Sequence, residues 1–434
     1  MTNSKSTKRA LATSALAILM CVAMLIGTTF AWFTDTASTS VNKIQAGTLD
    51  VALEMKDASG NWVSAEGETF NFIKAAGHEA EEILWEPGCT YELPEIRVIN
   101  NGNLALKYKI VVSGINGNAK LLEAITFSGT SGLETESHLL PGAYSDPIKL
   151  VGTMKKEAGN EYQGLVADGI AVTVVATQDT VEYDSNDNQY DVDAEYPVVK
   201  MANDAASFAE ALKGLDTKGN KNVLINVTKD TDNITGIKTE DGNSLKIDFG
   251  GNSVSVGGPV GSAGTVTNGM QLLKGSKVTL VNGTYEAATS DVRILIQNYA
   301  DLTLDGVTLD GTKYNNCEYV ASLNCGNVLV TGNTNIIASE GKVALDVMHW
   351  HGTGYEQDGV HVVIDENMTG TIDGKIDVYC YGTAKLDAKP GATLVIKGGT
   401  FKNTGLTLDE FKAYVADGYA VTEHTDGSWT VAAK

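Results

Sequence analysis

From residue 223 onward the chain repeats one short phrase, an apolar triplet followed by turn residues. It reads VLI at Val223, LKIDFGGN at Leu245, VTLVNGT at Val278, LTLDGVT at Leu302, VLVTGN at Val328, VVIDEN at Val362 and LVIKGGT at Leu394. Successive starts are 22, 33, 24, 26, 34 and 32 residues apart. A unit of one short strand and a turn cannot bury its apolar side alone, so neighbouring units must stack and share a continuous core. Coils of this length with longer insertions predict a right-handed parallel β-helix over 199–434. Short helices are expected at its ends. Asn203 or Asp204 can cap a helix whose inner face is Phe208, Ala211, Leu212 and Leu215. Thr407 and Glu410 form a capping box, Phe411, Tyr414 and Val415 face inward, and Gly418 can stop the helix.

A chain of 434 residues suggests two or three domains, and 46 glycines against 7 prolines with few helical segments favour an all-β architecture. At its start Lys5, Lys8 and Arg9 precede an apolar run from Leu11 to Ile26, and Thr29-Phe30-Ala31 offers small residues at the two positions a signal peptidase reads. The expectation is a leader over 1–31, cut between Ala31 and Trp32, and hence a secreted chain. An uncleaved anchor is the alternative, because the run through Phe33 approaches the roughly 20 residues that span a bilayer. Removing the leader takes away three cations and no anion, moving the formal net charge from −22 to −25. Such a surface repels phosphate backbones and argues against nucleic acid as a partner.

Residues 32–198 read as an antiparallel sandwich. TLDVALEM, Thr48 to Met55, alternates with Leu49, Val51, Leu53 and Met55 on one face. Ile96 and Val98 belong to a second strand, Asn100-Asn101-Gly102-Asn103 is expected to make a hairpin turn, and Leu104 to Val112 alternates again. GIAVTVVATQ, Gly169 to Gln178, closes the outline.

The leader followed by GTTFAWFTDTAS, then AGTLDV, then EPGCTYELPEIRVINNGNLALKYKI and a closing VVATQ strand resembles the TasA/camelysin family, the matrix-fibre proteins of Gram-positive bacteria with a dedicated signal peptidase. The likeness spans about residues 10 to 196. It implies a jelly-roll-like domain and, as in the fibre-forming members, polymerisation in which the N-terminal arm, here 32–45, passes into the next subunit. The closing YVADGYAVTEHTDGSWTV resembles the ends of surface-exposed, pectin-lyase-like β-helix proteins of Firmicutes, a looser likeness over 204–434.

Several residue groups are candidates for chemistry. His78-Glu79-Ala80-Glu81-Glu82 begins like the zinc helix H-E-x-x-H, but Glu82 stands where the second imidazole is needed, so a solvated acidic loop is the expectation. DSNDNQYDVDAE offers oxygens at Asp184, Asn186, Asn188 and Glu195 in the spacing of a calcium loop. Gln189 replaces its turn glycine, and the segment reads first as an acidic linker. Calcium is the cofactor such a loop would hold. In MHWHG, His349 and His351 point the same way in a strand, and His361 would join them as a transition-metal site if the next coil returns it. Four cysteines follow the leader, and Cys317 and Cys325 lie close enough to close a small disulfide loop.

A carbohydrate-active β-helix needs clustered carboxylates with a base opposite the scissile bond. Asp305 and Asp310 flank a turn and Asp346 precedes His349, but no adjacent aspartate pair accompanies them, and Arg97 and Arg293 are the two arginines after the leader. The leading expectation is therefore a non-enzymatic cell-surface or biofilm-matrix protein. It would self-associate, or join related matrix subunits, and present the β-helix to a glycan or host surface. A polysaccharide lyase or hydrolase is the alternative.

Overall fold

Two patterns of alternation build two kinds of β structure. In the computed structural model described here, the residues described are 49–65, 68, 70–78, 80–113, 116–117, 119–129, 133, 135–165, 167–168, 171–179, 195–262, 264–350, 352, 354–355, 359–381 and 391–434. The cleavage pair Ala31 and Trp32, the arm 32–45, Asp184, Asn186, Asn188 and His351 lie outside them.

The first region is a sandwich of short antiparallel sheets. Trp62–Ser64, Val51–Lys56 and Ile96–Asn100 form one sheet, Ala171–Gln178, Leu106–Ser113 and Ser137–Leu139 a second, and Thr90–Glu92, Leu150–Met154 and Ile125–Gly129 a third. They share a core of Leu53, Ile96, Val98, Leu106, Tyr108, Ile110, Ile148 and Leu150. Strict period-two strands supply it: Leu53 pairs with Val98, and Ile96–Asn100 buries every second residue. Leu49 is exposed, because the strand begins only at Val51.

The expected hairpin at 100–103 is a crossing between sheets. Ile96–Asn100 pairs with Val51–Lys56, whereas Leu106–Ser113 pairs with Ala171–Gln178. The physical reason is the buried Asn100. Its amide donates to the carbonyls of Leu104 and Leu139, and its oxygen accepts from the Gly102 amide, which turns the backbone out of the first sheet.

The second region is a parallel β-helix of seven coils among the described residues, and all the ladders between successive coils are parallel. Each full coil carries three short faces, as in Ser244–Asp248, Ser253–Gly258 and Asn268–Leu272 of the second coil. The triplets that mark the repeat occupy one register column: Val223, Leu245, Val278, Leu302, Val328, Val362 and Leu394 pair in that order. Two residues on, Ile225, Ile247, Leu280, Leu304, Val330, Ile364 and Ile396 form a second inward column, each 0% exposed. Burying such a side chain is worth about 1.5–3 kcal/mol, so the stacked columns hold the solenoid together.

The bend between the first and second faces repeats as well. Asn282, Gly306 and Gly332 stand at corresponding positions with φ of 58°, 62° and 61°, a backbone shape that glycine and asparagine tolerate.

Both ends are closed. Val198–Ala202 pairs with the first coil, and Asp204, rather than Asn203, caps the helix Ala205–Ala211 in a capping box with Ser207. Phe208, Ala211 and Leu215 lie in the solenoid core. At the other end Thr407 and Glu410 form the expected box on the helix Leu408–Lys412. Phe411 packs its ring 4.8 Å from Phe401 and 4.9 Å from Trp429. The helix stops at Ala413, and Gly418, at φ 89°, instead turns the chain into the closing hairpin Tyr419–Glu423 and Trp429–Ala433. Asn226 of the first coil donates to Thr173 Oγ1 of the sandwich at 2.7 Å.

Candidate functional site

On a coil, inward residues fill the core and the residues between them face out, so parallel pairing arranges outward side chains in rows. On the third face Met270, Ile296, Ala321, Leu345 and Ile376 make one inward column, and Leu272, Asn298, Leu323, Val347 and Val378 another. Between them runs an outward row of polar residues: Gln271, Gln297, Ser322, Asp346 and Asp377. Outward positions on a solenoid are ordinarily solvated, yet Gln271, Ser322 and Asp346 are 3%, 4% and 2% exposed. At the Gln271 end the cover is the segment before Asn268: Val260 bridges to Asn268, and Gln271 Nε2 donates to Ser262 Oγ.

Asp346 is the centre of the row. Asn324 donates to Ser322 Oγ at 3.1 Å, and Ser322 Oγ donates to Asp346 Oδ2 at 2.7 Å. The other oxygen, Oδ1, is buried and accepts no hydrogen bond. Asp377 of the next coil pairs in register with Asp346, so the two carboxylates stand side by side. Burial first, and then the Asp377 charge, push the Asp346 carboxyl up to about 6, against the Ser322 hydrogen bond and the approach of the Tyr379 phenol. The Tyr379 phenol is raised by burial and then by the Asp346 charge, and Tyr319 is raised for the same two reasons. Two adjacent carboxylates, one holding its proton toward neutrality, between two phenols, can exchange protons or hold a cation. The aspartate pair looked for along the sequence is thus present across coils, between residues 31 apart, and no local spacing would have announced it.

The other candidate residues are dispersed. His349 is fully buried at the end of a third-face strand, its Nε2 3.4 Å from the Tyr355 carbonyl oxygen. His361 is exposed on the first face and bonds Thr393 Oγ1 through Nδ1 at 2.8 Å. The two lie on different faces of the coil. Glu195 is exposed, beside the undescribed stretch 180–194. His78 pairs with Glu81 at 2.9 Å on an exposed turn rather than a helix, with Glu79 outside the described residues. Among the described residues no three His, Cys, Asp or Glu are grouped to hold a metal ion. Cys317 and Cys325 are buried and form no disulfide, and burial pushes the Cys317 thiol up to about 11, which makes it a packing residue rather than a nucleophile.

Residues 6–58 match the sequence model of the family described as camelysin metallo-endopeptidase. That stretch ends just beyond the first sandwich strand, Val51–Lys56. No curated protein and no solved structure matches the chain.

Proposed function

We propose that the chain is a secreted cell-surface or biofilm-matrix structural protein. The sandwich joins neighbouring subunits through the N-terminal arm, and the β-helix presents a binding surface to a glycan or host ligand. The match of residues 6–58 to the camelysin family carries this reading, because it takes in the leader, the arm and the first strand together. Strand addition suits such an arm: it offers backbone donors and acceptors to an open sheet edge and only shallow side-chain contacts. Cleavage before Trp32 would confine assembly to the outside of the cell. Sedimentation and electron microscopy of the mature chain test it. Filaments are expected from the chain beginning at Trp32 and not from one lacking 32–45. A chain that stays monomeric at every concentration and pH, or identical filaments without the arm, would refute the reading.

A carbohydrate-active enzyme is the second reading, favoured by the carboxylate pair Asp346 and Asp377 on one face. Its test is turnover of a polysaccharide panel, followed by release of new chain ends. Activity that Asp346→Asn abolishes supports it, and absence of turnover on every polymer removes it.

A further inference from the structure

We infer that Asp346 and Asp377 form a binding site for a hard divalent cation, of calcium type, on the third face of the β-helix. Strands of successive coils lie about 4.8 Å apart, and calcium takes carboxylate oxygens at about 2.3–2.6 Å. An ion midway between carboxylates that keep this backbone spacing therefore reaches both at bonding distance. Asp346 and Asp377 are such a pair.

The second observation is independent of the charge count. Asp346 is 2% exposed and its Oδ1 is buried without a hydrogen bond, while Oδ2 is held by Ser322. Leaving an acceptor in this state is costly, the more so when it is charged, and a cation would satisfy it. The Ser322 bond also fixes the carboxylate's rotation, so the open oxygen is presented before the ion arrives. Asp377 is only half-buried, which leaves its side of the pair open to water molecules that complete the shell. A formal net charge of −22 concentrates cations around the chain. Two carboxylates with water are a modest ligand set, so the affinity belongs to the range of about 10⁻⁴–10⁻³ M found in extracellular modules. The site uses no residue of the acidic stretch 184–195, and it does not depend on whether the chain assembles.

The tyrosines supply the probe. Tyr319 and Tyr379 both feel the charges of Asp346 and Asp377, so both phenols lie near the pair and will sensitise terbium luminescence. The mature full-length chain is titrated with terbium chloride and then with calcium chloride as competitor. The expected result is saturable emission that calcium displaces, at least tenfold weaker apparent affinity in both Asp346→Asn and Asp377→Asn, and no change in the double variant Asp184→Asn, Glu195→Gln. Calcium should also raise the thermal midpoint of the wild-type chain and not that of Asp377→Asn, which decides the matter if Asp346→Asn fails to fold. Aspartate variants that titrate like the wild type, emission lost in the 184/195 variant instead, or no sensitised emission with the wild-type chain would each overturn the inference.

Discussion

The sandwich and the β-helix reach order by different means. In the sandwich, three short antiparallel sheets meet on a core of about a dozen residues, and much depends on single contacts: the buried Asn100 amide, or the edge-to-face packing of Trp85 on Phe72 at 5.2 Å. In the β-helix each coil repeats the contacts of the one before, and the same inward column runs through all seven coils. A stack of this kind is a sum of nearest-neighbour terms, whereas a sandwich is a single cooperative body. The difference teaches where a substitution will be felt: locally and directionally in the stack, everywhere at once in the sandwich.

The largest test sets Leu304→Ala against Leu106→Ala, both at positions 0% exposed. Each should cost about 2–5 kcal/mol of local stability. Amide hydrogen exchange should show Leu304→Ala opening the fourth coil and its neighbours while the sandwich keeps its protection, and Leu106→Ala lowering protection throughout the sandwich. Uniform loss across the whole chain in either variant would break the comparison.

Next in size is the charge on the third face. The folded-state pKa of Asp346, about 6, lies above its ordinary value of 3.8. Its carboxyl therefore favours the folded state fully below pH 4, and that contribution is lost as pH rises through 6. The groups facing it are Asp377, Ser322, Tyr319 and Tyr379. In chelator at pH 7, Asp346→Asn should stabilise the β-helix by up to about 3 kcal/mol, and the gain should vanish near pH 4. Urea unfolding at the two pH values measures it, and a gain that persists unchanged at pH 4 would contradict the electrostatic origin.

Glycines give a matched pair. At Gly326, φ +87°, a Cβ would stand 2.3 Å from the Ala300 carbonyl oxygen of the coil before, whereas at Gly60, φ +85°, it would meet open space. Alanine should cost about 3 kcal/mol at Gly326 and about 1 kcal/mol at Gly60, read from denaturation midpoints. Equal costs would mean that backbone shape alone, not the approach of the neighbouring coil, selects glycine in the stack. The smallest effect is Thr407→Ala, which removes a cap worth about 1 kcal/mol and should fray only the closing helix and hairpin, seen as faster exchange over 408–433 with the first coils unaffected.

How much of this was legible beforehand follows from the same contrast. A repeat writes its register into the sequence, because every coil must place an apolar residue over the previous one. The starts Val223 to Leu394 pair one to the next without a slip although the spacing varies from 22 to 34 residues. The turns absorb the variation, so counting from the triplet works where counting residues does not. The outward rows carry no such requirement. Asp346 and Asp377 become neighbours only after the insertion between coils five and six has fixed where the sixth coil begins. For the same reason His349 and His361, twelve residues apart, end on different faces. In the sandwich, residues 100–103 read as a hairpin turn, whereas the chain there crosses from one sheet to another. Choosing between a hairpin and a crossing depended on the partner of Asn100, a long-range contact.

The closed C-terminal end of the stack limits how molecules of this protein can be joined. The last inward residues are sealed by Phe411 and Trp429, the backbone of Ile396 is taken up by the 414–416 segment, and the final hairpin runs antiparallel to the coil it covers. A second β-helix arriving at this end finds neither a parallel ladder to continue nor an exposed core to dock on. The stack thus carries a built-in stop at its C-terminal end, and lengthening beyond one molecule cannot be driven from there.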